Sequence, residues 1–552
     1  MSQDPVTSPQ DRLAALVGVS PELSTGPVEH PTDPETPEKG SEGRPAPGRA
    51  GREETGSAGV DPTSALAATP GSVGAPAVRG TAAARRLLRK MVQGEAPPTQ
   101  AMAITDRLAG SPYARSMPRF EPPETAGINA YEGARKTLDL ALHLAEVMFR
   151  YGAGALEVET SMIAVTAAYG LRDVDVDITN QSVQLNYSPP GQTPITVLRV
   201  VRSWTNNYAG LVMVHDLVTK IVAGGVSRTD AADELRRITK RPKPFAKWMV
   251  TVAGAVFCGL IVIMIGGHVP EALVTTAATL VSGLAARQLS RWRVPDFYST
   301  TVSAFVVTAF AMGMFALNDG FRPSLAVAGG LVLLVPAGRT VGAVQDAING
   351  FPVTAAGRLL SAMLTFGAIV VGIAVPVVVA SIIGVEQLDV TWKPVPYLSP
   401  WATAIVVFAA ASLIVVFEQS QVRLLLPTAV VATVGYAAYV IFIGLGFGER
   451  LTPALAAGVV GFVARIVALR LGAPQLVVAV PAVLYLLPGL SIFRAMYTLT
   501  IEESTFTGVG GLAGALMIIL GLAAGLVAGD NLARPLTRAS QSTVDQRRGR
   551  RR

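Results

Sequence analysis

A carboxylate and a cation stand seven positions apart in sequence that is otherwise fit for lipid. Residues 331–360 read LVLLVPAGRTVGAVQDAINGFPVTAAGRLL, and the apolar run carries Pro336, Gly338, Arg339, Gln345, Asp346 and Asn349. Ionisable groups at membrane depth are costly, and they usually face a bundle interior or a water-filled cavity where substrates or protons pass. A carboxylate in such a place can cycle between charged and neutral forms, so Asp346 is a candidate partner for a proton or an ammonium group. Arg339 and Asp346 share one helix face two turns apart, too far to pair unless the helix is broken between them. The competing reading puts both at the cytoplasmic end of a span, Arg339 reaching out to water and Asp346 acting as an interfacial cap. Gln345 and Asn349 offer hydrogen bonds beside them, although amides at helix ends have ordinary roles too.

A related stretch, YLLPGLSIFRAMYTL, occupies 485–499 and carries Pro488, Gly489 and Arg494. A guanidinium is the natural partner of a substrate carboxylate, which makes Arg494 a candidate; its alternative is to sit at the outer interface. Glu418 closes another apolar run beside QSQVR and is the second carboxylate candidate, with an interfacial role as its rival. Glu157 and Glu159 follow two glycines at a helix start, where acidic residues complement the helix dipole. Paired acids also do general acid–base work, but no nucleophile elbow, metal triad or phosphate loop accompanies these. His143 and His215 read as packed helix residues. Cys258 is the single cysteine, and the four histidines have no metal-ligand spacing, so neither a metal nor another cofactor is expected.

The elements that hold these residues follow from composition. The 552-residue chain is 50% hydrophobic and 15% charged. Residues 1–125, rich in Pro, Gly, Ala and charge, bury too little to fold and read as a disordered tail; 83–92 is a short basic amphipathic stretch, and the start lacks the apolar run of a signal peptide. Residues 126–243 read as a small α+β domain of helices around two or three antiparallel strands, Val174, Val176 and Ile178 on one face and Val183, Leu185 and Tyr187 on the next. Helices are expected at 208–223 and 227–239, the second capped by Ser227.

Beyond it the spacing of apolar runs predicts ten spans: 246–266, 270–287, 298–317, 323–345, 359–383, 401–418, 424–446, 453–470, 474–497 and 509–529. Basic residues collect before the first span, in alternate loops and in the tail 532–552, which places both termini inside by the positive-inside bias. The net charge of +7 is therefore accounted for by the bilayer, without nucleic acid.

Pro336 and Pro488 align, and 355–364 continues against 507–516 without a gap. A second echo sets 280–289 against 458–467, with Arg287 opposite Arg465. The fourth and ninth spans are five apart, so equivalent elements run in opposite directions. That is the inverted repeat of many secondary transporters, in which paired Pro-Gly interruptions (Pro336, Gly338, Pro488, Gly489) mark a central binding site.

The chain resembles the threonine/serine exporter family of bacterial inner-membrane transporters, especially its actinobacterial members, over about 130–530. The resemblance rests on YGAGALEVETSMIAVTAAYGL, VQDAINGFPVTAAGRLL, LLPGLSIFRAMYTL and FVARIVALRLGAPQLVVAVPAVLYLLPG. It implies export of threonine and serine driven by the proton motive force. It also implies an α-helical polytopic membrane protein in which a cytoplasmic domain precedes ten spans in two five-helix units, here 244–385 and 386–531. The partners implied are the amino acid, protons and the bilayer; a homo-oligomer is open. Two other classes compete: a membrane-anchored enzyme or sensor whose soluble domain carries the activity, and a passive channel.

Overall fold

The computed structural model describes residues 128–189, 193–318, 320–385, 394–501 and 505–549, with side chains from 131 to 536. The expected tail 1–125 and its basic stretch 83–92 lie outside these residues. The described chain opens with α1 (Ile128–Arg150) and α2 (Ala155–Ala168). A three-stranded antiparallel meander follows, β1 (Val174–Thr179), β2 (Ser182–Tyr187) and β3 (Ile195–Val200), then α3 (Tyr208–Val222) and α4 (Arg228–Lys240). Val176 faces Leu185 and Ile178 faces Val183. The two-residue period therefore turns Val174, Ile178, Val183 and Leu185 onto the helices, where they are buried with Leu138, Met148, Phe149, Met162 and Leu211. Gly152 (φ +98) and Gly170 (φ +88) end the first two helices in the left-handed region that glycine enters without strain. Ser227 Oγ accepts the Asp230 N–H at 3.2 Å and caps α4.

The apolar helices are α5 (Lys247–Met264), α6 (Val269–Arg291), α7 (Asp296–Leu317), α8 (Pro323–Leu331), α9 (Ala337–Ile348), α10 (Pro352–Ile382), α11 (Pro400–Phe417), α12 (Leu425–Gly444), α13 (Gly448–Leu471), α14 (Gln475–Val483), α15 (Gly489–Thr500) and α16 (Thr505–Gly549). Among the described residues eight helices are long and apolar enough to cross a membrane, nine if the pair Gln475–Leu486 and Gly489–Thr500, bent by 51°, counts as one. Large apolar side chains such as Leu273, Leu360, Ile405 and Met517 point outward and are more than half exposed, as a lipid-facing surface requires. The expected span 323–345 is two short helices, α8 and α9, because Pro336 has no N–H to continue the ladder. The last helix runs past 529 through the basic stretch to Gly549, residues that include the good helix formers Gln and Arg.

Element lengths recur. α5 and α11 each have 18 residues and start 153 positions apart; α8 and α14 each have 9, and α9 and α15 each have 12, starting 152 apart. The packing recurs as well. α5 on α6, α6 on α7, α7 on α10 and α9 on α10 are matched by α11 on α12, α12 on α13, α13 on α16 and α15 on α16. The echo of Arg287 with Arg465 does not fit this order, since Arg287 is on α6 and Arg465 on α13, whereas α12 stands where α6 does. Runs of Ala, Val, Leu and Gly resemble one another by composition alone. Arg465 instead pairs with Asp530 at 2.9 Å, where α13 and α16 cross through Gly458, Gly461, Gly525 and Gly529.

Candidate functional site

The two helix breaks have the same backbone. Pro336 sits at φ −79, ψ 56 and Pro488 at φ −83, ψ 56, the conformation of an inverse γ-turn. Ala337 N–H donates to Val335 O at 2.8 Å, and Gly489 N–H to Leu487 O at 2.9 Å. Each proline carbonyl then opens the next helix, accepting from Thr340 N–H at 3.0 Å and from Ile492 N–H at 3.1 Å. The breaks also touch. A Cβ on Gly489 would run into the Ala328 carbonyl oxygen of α8 and stand 3.4 Å from Val332. Gly338 has more room: its Cβ would lie 3.8 Å from Tyr208 Oη and 3.9 Å from Val480.

Beside the second break is a cavity of about 750 Å³, lined by residues that include Tyr436, Tyr485, Pro488, Ser491, Arg494 and Thr498. The last three recur at helical spacing and so share one face of α15, offering two hydroxyls and a guanidinium. Its lining also includes the end of α5 (Met264) with Ile265 after it, and the beginnings of α11 (Pro400, Thr403) and α13 (Glu449, Arg450).

The α1–α4 segment packs instead on the end of α9, the start of α10 and the end of α11. Asp346 is fully buried there. Its Oδ1 accepts the Ala155 N–H at 2.8 Å and so caps α2, whose N-cap residue Gly154 has no side chain to do it. Its Oδ2 lies 2.8 Å from Nη1 of Arg358, on α10. Arg358 also donates through Nη2 to Ala153 O at 2.9 Å, and its guanidinium lies 5.3 Å from the ring centres of both Phe149 and Trp204. Two turns of chain thus lock together. The α1–α2 turn supplies one acceptor and one donor, and the ion pair bridging α9 and α10 receives both. Close by, Thr354 Oγ1 donates to Ile178 O at 3.0 Å and accepts Asn180 N–H at 3.1 Å.

A second junction lies at the end of α11. The first N–H groups of α3 find acceptors in its cap: Tyr208 donates to Glu418 O at 3.4 Å and Ala209 to Gln419 O at 2.9 Å. Gln419, at φ +55, exchanges hydrogen bonds through both atoms of its amide with the backbone of Phe245, just before α5. Burial pushes the Glu418 carboxyl up to about 7, against the pull of Lys243. Burial, and then the Glu418 charge, raise the Tyr208 phenol well above its usual range.

The expected site residues are therefore separated. Asp346 and Gln345 face the α1–α2 turn, the Gln345 Oε1 lying 3.6 Å from where a Cβ on Gly154 would stand. Asn349 caps α9, its N–H bonded to Gln345 O. Arg339 does not join Asp346; it turns to Ser361 at 3.3 Å and to Asp296 at 3.8 Å. Arg494 and Pro488 belong to the cavity at the far end, Glu418 to the junction with α3. Arg358 is the residue that sequence reading misses, because a lone arginine in a short turn is absorbed by the positive-inside accounting.

Two family models match the chain, "Putative threonine/serine exporter" over residues 139–380 and "Threonine/Serine exporter, ThrE" over 402–531. The chain is 32% identical over 412 residues to the "Probable threonine/serine exporter" of Mycobacterium tuberculosis, an alignment covering 73% of this chain and 77% of that one. It is 28% identical over 444 residues to the "Threonine/serine exporter" of Corynebacterium glutamicum, covering 79% and 90%. No solved structure matches. The two models meet the two stretches that hold the breaks, and the chain belongs to the threonine/serine exporter family.

Proposed function

We propose that this chain is a secondary active transporter that exports threonine and serine from the cytoplasm, driven by the proton motive force. Its ten spans form two five-helix units, 244–385 and 386–531, in opposite orientation, with the 126–243 domain and both termini on the cytoplasmic face of the bacterial inner membrane. The observation that carries this reading is the identical backbone at Pro336 and Pro488, each set between a 9-residue and a 12-residue helix. Opposite orientation is supported by Gln419 and Phe245: the second residue past the end of α11 is bonded to the second residue before the start of its counterpart α5, so equivalent helices run antiparallel. Discontinuous helices at corresponding positions of inverted halves are how such transporters build a site reached from either side in turn. The names of the relatives support the substrates. A carboxyl that burial pushes up to about 7, Glu418, suits exchange of a proton at the inner end.

The test is accumulation of labelled threonine by inside-out membrane vesicles with an imposed acid-inside gradient. Accumulation above empty membranes that collapses with the gradient supports the reading. Uptake that ignores the gradient points to a passive channel, and its absence rejects threonine as the substrate.

A further inference from the structure

The pair at the inner end is already complemented as a ligand would complement it. Asp346 takes an N–H from Ala155, and Arg358 gives an N–H to the carbonyl of Ala153, two residues earlier on the same turn. A free α-amino acid carries the same two functions in charged form, an ammonium group and a carboxylate on one carbon. Charged partners make shorter and roughly twice stronger hydrogen bonds with a carboxylate and a guanidinium than a neutral peptide does. We propose that Asp346 and Arg358 form an inner binding site for a zwitterionic α-amino acid, which in this structure is filled by the backbone of the α1–α2 turn. The identity of the ligand rests on the exporter reading; the site itself rests on the geometry.

Two features support a site rather than a simple anchor. The turn enters through backbone alone, because Gly152 and Gly154 carry no side chains. Most telling is the repeat. Thr354, Gly357 and Arg358, the third, sixth and seventh residues of α10, meet the soluble segment through Ile178, Asn180 and Ala153. The third, sixth and seventh residues of α16, Thr507, Gly510 and Gly511, line the open cavity at the other end. Asp346 is the tenth residue of α9, and the tenth residue of α15, Thr498, lines that cavity too. The soluble segment thus occupies at the inner end the place that stands open at the outer end. An amino acid entering from inside must displace the turn, so the soluble segment is also a stopper released by substrate.

Thr354 reports on this displacement. It is fully buried beneath Ile178 and Asn180, and Thr→Cys keeps its size. In the full chain with Thr354→Cys and Cys258→Ala, embedded in inside-out vesicles, maleimide labelling should be slow and should accelerate saturably with L-threonine. Lactate, which lacks the ammonium group, and ethanolamine, which lacks the carboxylate, should not accelerate it. Asp346→Asn and Arg358→Lys should each raise the threonine concentration for half-maximal response by about tenfold or more; the second keeps the charge and serves if the first does not fold. Equal acceleration by all three compounds overturns the proposal, and so do variants that respond like the parent. Threonine transport without threonine-dependent labelling also overturns it and leaves the exporter reading standing. Threonine-dependent labelling without transport supports the site and sinks the exporter reading.

Discussion

Asp346 and Arg358 meet at 2.8 Å from two different helices, and each also holds one backbone atom of the same distant turn. The contact spans 205 positions between Ala153 and Arg358. It lies wholly within the stretch 139–380 that the first family model matches, and it gives Asp346 a partner that Arg339, on its own helix, does not supply.

Breaking this pair from one side should be costly. Arg358→Ala leaves a fully buried carboxylate without its cation, and the expected loss is about 3–5 kcal/mol. Arg358→Lys keeps a charge near Asp346 but gives up the planar contact with Phe149 and Trp204, and should lose less. Apparent thermal midpoints of the purified protein should fall in the order parent, Lys, Ala, and proteolysis within 128–240 should quicken in the same order.

The glycines at the two breaks should respond unequally. A methyl group on Gly489 would strike the Ala328 carbonyl, so Gly489→Ala must push α15 off α8, at a cost of about 1–3 kcal/mol. Gly338→Ala meets nothing closer than 3.8 Å and should change stability by less than about 0.5 kcal/mol. Midpoints measured side by side decide this; equal losses would mean that the breaks do not pack as described.

Glu418 should make the junction with α3 sensitive to pH. Its carboxyl is raised from 4.5 to about 7 because burial disfavours the charged form. The stability it contributes is fully present below about pH 4.5, declines as pH rises, and is lost above about 7, since between these values the unfolded chain has released a proton that the folded chain still holds. Glu418→Gln cannot ionise. Thermal midpoints of the variant should be flatter than those of the parent between these pH values, and higher than the parent's at pH 8. A variant whose pH profile overlays the parent's would remove Glu418 from this role.

Much of the fold is legible from hydropathy. Apolar length marks the spans because a bilayer fixes it, and proline marks the breaks because it cannot donate. The period-two pattern of Val174, Val176 and Ile178 gives β1 its buried face, with Val174 and Ile178 in the core. What stays hidden depends on contacts between distant segments. Arg358 looks like one more inside cation until Ala153 and Asp346 are placed against it. Helical periodicity puts Arg339 on the face of Asp346, two turns away, but speaks only of faces; its actual neighbours come from α7 and α10. The common ψ of 56 at Pro336 and Pro488 is carried by backbone geometry that two prolines alone do not specify. The cavity, lined from six helices and the loops between them, has no local signature at all.

If the chain exports as proposed, the two breaks serve opposite ends of one path. Ser491→Cys in a Cys258→Ala chain puts a single thiol in the cavity beside Pro488. It should react with a membrane-impermeant maleimide added outside intact cells, and the reaction should slow severalfold when the cells are loaded with threonine and energised. Labelling only from the cytoplasmic side, or at a rate that threonine does not change, would contradict the account.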